Sequence, residues 1–150
     1  MPKLIVTALA ALAFVLPSIT PLSAADLDLK DDLTKLQGKW KATVTTDEGK
    51  SNWTLEIKAN KTKVLIERDG ETVFKGESDF KLEKVGQFKA YTYFNLEVQS
   101  GSNAGEKLLT GGETRSSVYR LDDDAFITAG GFSEGDKTEP SLIKWTKVTK

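Results

Sequence analysis

The hydrophobic pattern changes period twice along the chain. Residues 4–16 are an almost unbroken apolar run, residues 27–36 place leucines at helical spacing, and from Trp40 onward apolar and polar side chains alternate. Alternation at period two marks half-buried strands. Trp40, Ala42 and Val44 alternate with Lys39, Lys41, Thr43 and Thr45, and the turn Asp47-Glu48-Gly49-Lys50 leads to Trp53, Leu55 and Ile57. A third strand runs from Thr62 to Arg68, where Asp69-Gly70 signals a tight hairpin. The fourth carries Phe74, Gly76, Ser78, Phe80 and Leu82 on one face, and its two small residues suit a wall that bends sharply. The fifth, Lys89 to Val98, places Ala90, Thr92, Phe94, Leu96 and Val98 on one face and Tyr91, Tyr93, Asn95 and Glu97 on the other. Thr114 to Leu121 and Ala125 to Ala129 form a hairpin across Asp122-Asp123-Asp124, and Ser141 to Val148 is the last strand.

Eight strands with mostly short connections predict an all-β fold, an eight-stranded antiparallel up-and-down barrel, because closing such a sheet removes its exposed edges. A short helix precedes it. Leu27, Leu29, Leu33 and Leu36 line one side of that helix, with Asp31 or Asp32 as its N-cap and Gly38 at its end. Polar loops are expected at Ser100–Gly112 and Gly130–Pro140, and no internal repeat suggests a second domain.

The first apolar run reads differently. Lys3 is its only charge, Pro17 ends it, and Ser23-Ala24-Ala25 offers small residues to a signal peptidase, so residues 1–25 are expected to be a signal peptide cleaved after Ala25. The run is too short to span a bilayer, which takes about 20 residues. Removing 25 residues from the 150, with one lysine among them, leaves a single domain of 125 and takes the net charge from −1 to −2. The expected location is therefore secreted or periplasmic, without stable membrane insertion after cleavage. That charge balance favours neither nucleic acid nor an anionic membrane, and the Lys39-Trp40-Lys41 run does not overturn it.

The chain has no histidine and no cysteine. Nucleophile–histidine catalysis, zinc held by imidazole or thiolate, and disulfide staples are all excluded. Paired carboxylates remain chemically open, but the one dense acidic cluster, Asp122 to Asp124, sits where a hairpin turn needs such residues. It also lacks the glycine and terminal glutamate of a helix–loop–helix calcium site. Gly101 to Lys107 lacks phosphate-loop spacing. We expect no enzyme activity, cofactor or metal, and a monomer.

The run Asp32-Leu33-Thr34-Lys35-Leu36-Gln37-Gly38-Lys39-Trp40, the hairpin Tyr119 to Asp124 and the strand Pro140 to Val148 resemble the small lipocalin-like domain of exported bacterial proteins, a family common in planctomycete-type bacteria. The resemblance implies that Gly38 and Trp40 open the first barrel strand and that a cation from the last strand covers the indole. Lipocalins use an arginine there. No arginine follows Arg120, so Lys144 or Lys147 is the expected cover.

An eight-stranded barrel is either filled by its own side chains or holds one small ligand. The inward candidates are Trp53, Leu55, Phe74, Phe80, Phe94, Leu96, Tyr119 and Phe126, with Arg115 near one rim as a group that can meet a ligand carboxylate. Tyr91 and Tyr93 fall on the face opposite Phe94, as an outer patch or a bed for the helix. Two functions follow. One is non-covalent binding of a small apolar or amphipathic molecule, and the other is a protein interaction or inhibitor module with a filled barrel and functional loops. Interior volume separates them.

Overall fold

A computed structural model describes residues 24–101, 103–132 and 140–149. Most of the segment read as a signal peptide lies outside the described residues. Among the described residues one helix, α1 (Ala24–Leu36), precedes nine strands: β1 (Gly38–Thr46), β2 (Gly49–Lys58), β3 (Lys61–Arg68), β4 (Glu71–Val85), β5 (Phe88–Ser100), β6 (Lys107–Leu108), β7 (Arg115–Leu121), β8 (Ala125–Gly130) and β9 (Ser141–Lys147). No described helix is long and apolar enough to cross a membrane.

Every pairing is antiparallel, and the eight longer strands close in the order β1-β2-β3-β4-β5-β7-β8-β9 and back to β1. The all-β eight-stranded barrel with a short helix is thus the fold. The two-residue β6 is an addition, laid against the far half of β5 inside the segment read as loop. Asp69 and Gly70 connect β3 to β4 with φ of 52° and 84°. Two left-handed residues match the turn to the right-handed twist of its strands.

At one end α1 covers the barrel. It begins earlier than its leucines suggest, so Asp31 and Asp32 lie within the helix and neither is its N-cap. Asp32 is buried instead, because the sheet supplies it with partners: Lys89 Nζ donates to its carboxylate at 2.8 Å, and the Tyr119 hydroxyl donates at 2.8 Å. Gly38 ends the helix and starts β1 with φ of 114°. Glycine is needed there for its backbone, not for space, since an added Cβ would make only an ordinary contact with Lys147 at 3.8 Å.

Trp40 is fully buried just beyond that glycine. Its indole N–H donates to the Leu36 carbonyl at 2.8 Å, one of the helix-end acceptors that has no partner within the helix. Lys147 Nζ stands 5.2 Å from the ring centroid and donates to the Lys35 carbonyl at 2.7 Å. Lys147 is the cation over the indole. Lys144 is exposed on β9 and points away, three residues back and on the other face.

One register shift reassigns the aromatics of β5. Asp79 pairs with Phe94 and Glu77 with Glu97, so Ser78 faces two residues, Asn95 and Leu96. Asn95 is the extra residue, with φ of 52°, and its side-chain amide donates to Asp79 Oδ2 at 3.0 Å. A bulge of one residue reverses which face the following side chains take. Tyr91 and Tyr93 therefore point into the barrel before it, and Leu96 and Val98 after it. Phe94 alternates with Tyr93 and falls on the outside, contrary to the single inward face expected from the sequence.

Candidate functional site

The barrel interior has two levels. Next to α1 it is filled. Phe126, fully buried, meets Trp40, Tyr91 and Tyr119, each at 5.9 Å between ring centroids. Phe80 stacks on Tyr91 at 5.0 Å. Tilted and edge-on rings at these separations pack better than face-to-face ones, and together they form a floor.

Above that floor lies a cavity of about 370 Å³. Its existence follows from side-chain size. Four inward positions carry only small polar residues, Thr62 on β3, Ser78 on β4, Ser117 on β7 and Thr128 on β8. Two of them satisfy each other, with Thr62 Oγ1 and Ser78 Oγ at 2.8 Å, and Thr128 Oγ1 accepts from the Trp145 indole N–H at 3.2 Å. The hydroxyls of Thr62, Ser78 and Thr128 are therefore occupied, and the surface these three offer the cavity is largely aliphatic.

The rest of the wall is apolar. Trp53 and Leu55 enter from β2, Val64 and Ile66 from β3, Phe74 from β4, Leu96 from β5, Leu108 from β6, and Trp145 from β9. Gly76 sits among them for want of room. A Cβ there would lie 2.9 Å from Phe74 Cζ and 3.1 Å from Leu96 Cδ1. The glycine lets Phe74 and Leu96 close over the strand.

Among the described residues one charged group reaches the cavity, Arg115, the first residue of β7, at the barrel end away from α1. It is exposed, and it stands directly opposite Tyr93 in the β5–β7 ladder. Cross-strand neighbours have Cβ atoms about 5 Å apart. Among the described residues, Arg115 and the Tyr93 hydroxyl form no hydrogen bond or ion pair with another side chain. A guanidinium and a phenol thus share one edge of an apolar chamber, both able to donate.

Of the residues expected to line a pocket, Trp53, Leu55, Phe74, Leu96, Arg115 and Phe126 do so. Phe80 and Tyr119 point inward but belong to the packed floor, and Phe94 is outside. Tyr91 and Tyr93 were hidden by the bulge. The signal for it was weak, a lone Asn95 in a β-branched and aromatic run, since asparagine tolerates the left-handed conformation.

Ionisable groups cluster elsewhere. Lys89 loses solvation under α1, but the hydrogen bonds it donates to the Asp28 and Asp32 carboxylates outweigh that and raise its pKa. The Lys89 bond holds the Asp28 carboxyl below its ordinary range. Burial, followed by the bond to Asp32, pushes the Tyr119 phenol up. Burial does the same to Tyr91. Lys89 and Tyr119 tie α1 to the barrel through Asp28 and Asp32, whereas Tyr91 is part of the floor itself. Among the described residues no group of three or more acidic side chains is placed to hold a metal ion.

Comparisons with protein-family models, with curated proteins and with solved structures give no match to this chain.

Proposed function

We propose that the protein is an exported, lipocalin-like carrier that binds one small amphipathic anion non-covalently, apolar body in the barrel and anionic head at Arg115 and Tyr93. The observation that carries this reading is the cavity of about 370 Å³ with largely apolar walls and Arg115 at its edge. Its size falls within the about 300–1,000 Å³ common to small-molecule sites, which are mostly apolar with a few placed polar groups.

Burial of a ligand's hydrocarbon supplies affinity, about 0.8 kcal/mol for each CH₂ removed from water. The head group supplies orientation. Arg115 is exposed, so solvent screens its attraction and the charge contributes modestly. The Tyr93 hydroxyl adds a second donor to the same carboxylate or sulfonate oxygen. Trp53 and Trp145, both in the wall, report occupancy through their fluorescence.

Native mass spectrometry of protein purified from its own host should detect a retained small molecule with an acidic group. In parallel, dodecanoate should displace 1-anilinonaphthalene-8-sulfonate at one site per chain. Arg115→Ala should weaken dodecanoate about five-fold, which corresponds to about 1 kcal/mol, and leave dodecanol unchanged. Absence of saturable binding of both probes would refute a ligand cavity. Equal loss for acid and alcohol would refute the assigned head-group contact.

A further inference from the structure

The barrel closes through a short seam. β1 and β9 share two residue pairs, Trp40 with Lys147 and Lys41 with Thr146, extended by a bond from the Val148 N–H to the Lys39 carbonyl. β1 continues to Thr46 and β9 begins at Ser141. Over that length the two strands face one another with no ladder between them.

The orientation of the unpaired groups follows from alternation. In an antiparallel ladder successive residues turn their backbone N–H and C=O to opposite neighbours. Since Lys39 and Val148 bond across the seam, Thr43 and Thr45 turn their groups toward β9, and Lys144 and Leu142 turn theirs toward β1. The bond from the Lys147 N–H to the Asp124 carbonyl, just before β8, has the same parity. Continuing the register would pair Thr43 with Lys144 and Thr45 with Leu142, and neither pair forms. All four residues are exposed.

Packing holds the wall where hydrogen bonds do not. Ala42, opposite Trp53 on β2, is small enough for Trp53 and Trp145 to meet edge-on behind it at 6.2 Å. On the outer side a depression of about 530 Å³ crosses the seam, from Lys144 and Thr146 on β9 over Lys41 and Thr43 on β1 to Asn52 and Thr54 on β2. Among the described residues neither Lys41 nor Lys144 forms an ion pair, and Glu67 is the one acid in the wall of the depression. Leu142, beside it on β9, is 69% exposed.

We propose that the open seam is a docking site for an extended, acidic segment of a partner protein, which adds as a β-strand along the free edge of β9. A row of backbone donors and acceptors at strand spacing is matched by another strand's backbone, which meets both kinds of group at the same repeat. Lys41 and Lys144 select acidic side chains on its outward face. The inward face lies beside the Trp53–Trp145 pair and takes apolar ones, and Leu142 adds an apolar contact at one end. The same lysines disfavour a second copy of this edge, because two such edges would bring like charges together.

The test uses the octapeptide of alternating glutamate and valine, capped at both ends, and its lysine–valine counterpart. Hydrogen exchange read by NMR should show the Leu142 and Lys144 amides unprotected in the free protein and slowed at least about ten-fold by the acidic peptide alone. Leu142→Pro removes a donor that faces the seam and costs no bond to β8, and Lys144→Glu reverses the selecting charge. Each should weaken the acidic peptide about ten-fold while leaving the melting temperature and dodecanoate binding in the cavity unchanged. No protection with either peptide, equal protection with both, or amides already slow in the free protein would each overturn the proposal. Protection that grows with protein concentration and needs no peptide would assign the edge to a second copy and overturn it as well. Cavity binding is read separately, so failure of the seam leaves the carrier reading standing and the reverse holds too.

Discussion

Replacing Trp40 by alanine probes the closed end of the barrel through three contacts at once. The indole is fully buried against Phe126, so its removal leaves a void between α1 and the floor. Large-to-small changes of this kind cost about 3–5 kcal/mol, the upper part of the range applying where the site cannot collapse. Here a barrel wall on most sides and a helix above restrict collapse. Within that total, the bond from the indole N–H to Leu36 contributes about 1 kcal/mol, and the Lys147 ammonium over the ring about 0.5–1 kcal/mol. Trp40→Phe keeps most of the apolar contact and loses the N–H, so about 1–2 kcal/mol is expected. Guanidinium titration at constant m-value measures both. Lys147→Ala combined with Trp40→Leu in a double-mutant cycle isolates the cation–ring coupling, because leucine carries no ring, with the Lys35 carbonyl bond cancelling because it is lost in both backgrounds. A Trp40→Ala cost below about 1 kcal/mol would refute the plug, since a domain stable by about 5–15 kcal/mol would then not depend on the largest of its fully buried side chains.

Asp32→Ala should cost about 2–4 kcal/mol by urea titration, because it strands the buried Tyr119 hydroxyl and leaves Lys89 with Asp28 alone; a loss under about 0.5 kcal/mol would show that α1 is held by its leucines. The pKa values of Tyr119, Tyr91 and Lys89 are all raised, so each contributes stability that is complete below its unfolded value near 10 and is lost as pH rises above it. Melting temperature should therefore fall above about pH 10, and Tyr119→Phe should flatten that limb; an unchanged limb would place the alkaline sensitivity elsewhere. At the other end, Asp28, Asp79 and Glu83 are held below their ordinary values, Asp28 by Lys89, Asp79 by Asn95 and Lys61, and Glu83 by Lys81 and Thr92. Their contribution is present above the unfolded carboxylate range and is lost as pH falls below about 4. Gly76→Ala forces the Phe74 ring to move, which should cost about 1–2 kcal/mol by the overpacking rule and reduce binding of the anilinonaphthalene probe; unchanged binding would show that Phe74 swings outward.

The alternating positions from Trp40 onward were sufficient to read eight strands, and Asp69-Gly70 to read a hairpin, because both are local: side-chain period and left-handed turn residues need no distant partner. The early start of α1 was less legible. Asp31 and Asp32 carry the chemistry of a cap, and what makes Asp32 an interior anchor is Lys89 and Tyr119, 57 and 87 residues away. Lys144 and Lys147 were equivalent candidates in sequence, and the face each takes on β9 separated them.

For the candidate site the division is similar. Trp53, Leu55 and Phe126 were legible as inward because the ladders around them keep one register, and Phe74 because the shift between β3 and β4 falls just before it, so that it stays in phase with Gly76, Ser78 and Phe80. Phe94, Tyr91 and Tyr93 were not, because a bulge at Asn95 shifts the phase within β5 and its cost is recovered through Asp79 on the neighbouring strand.

By itself, then, the order of residues determined the element types, the absence of imidazole and thiolate chemistry, and a barrel as the way to bury eight amphipathic strands, all properties of composition and short-range period. The tertiary structure decided whether the barrel is full or hollow, which group stands at its edge, and where its seam stays open. Those depend on which small side chains from β3, β4, β7 and β8 meet at one level and on a register between β1 and β9 that stops after two pairs. Sums of volume and register over strands distant in the chain have no local signature.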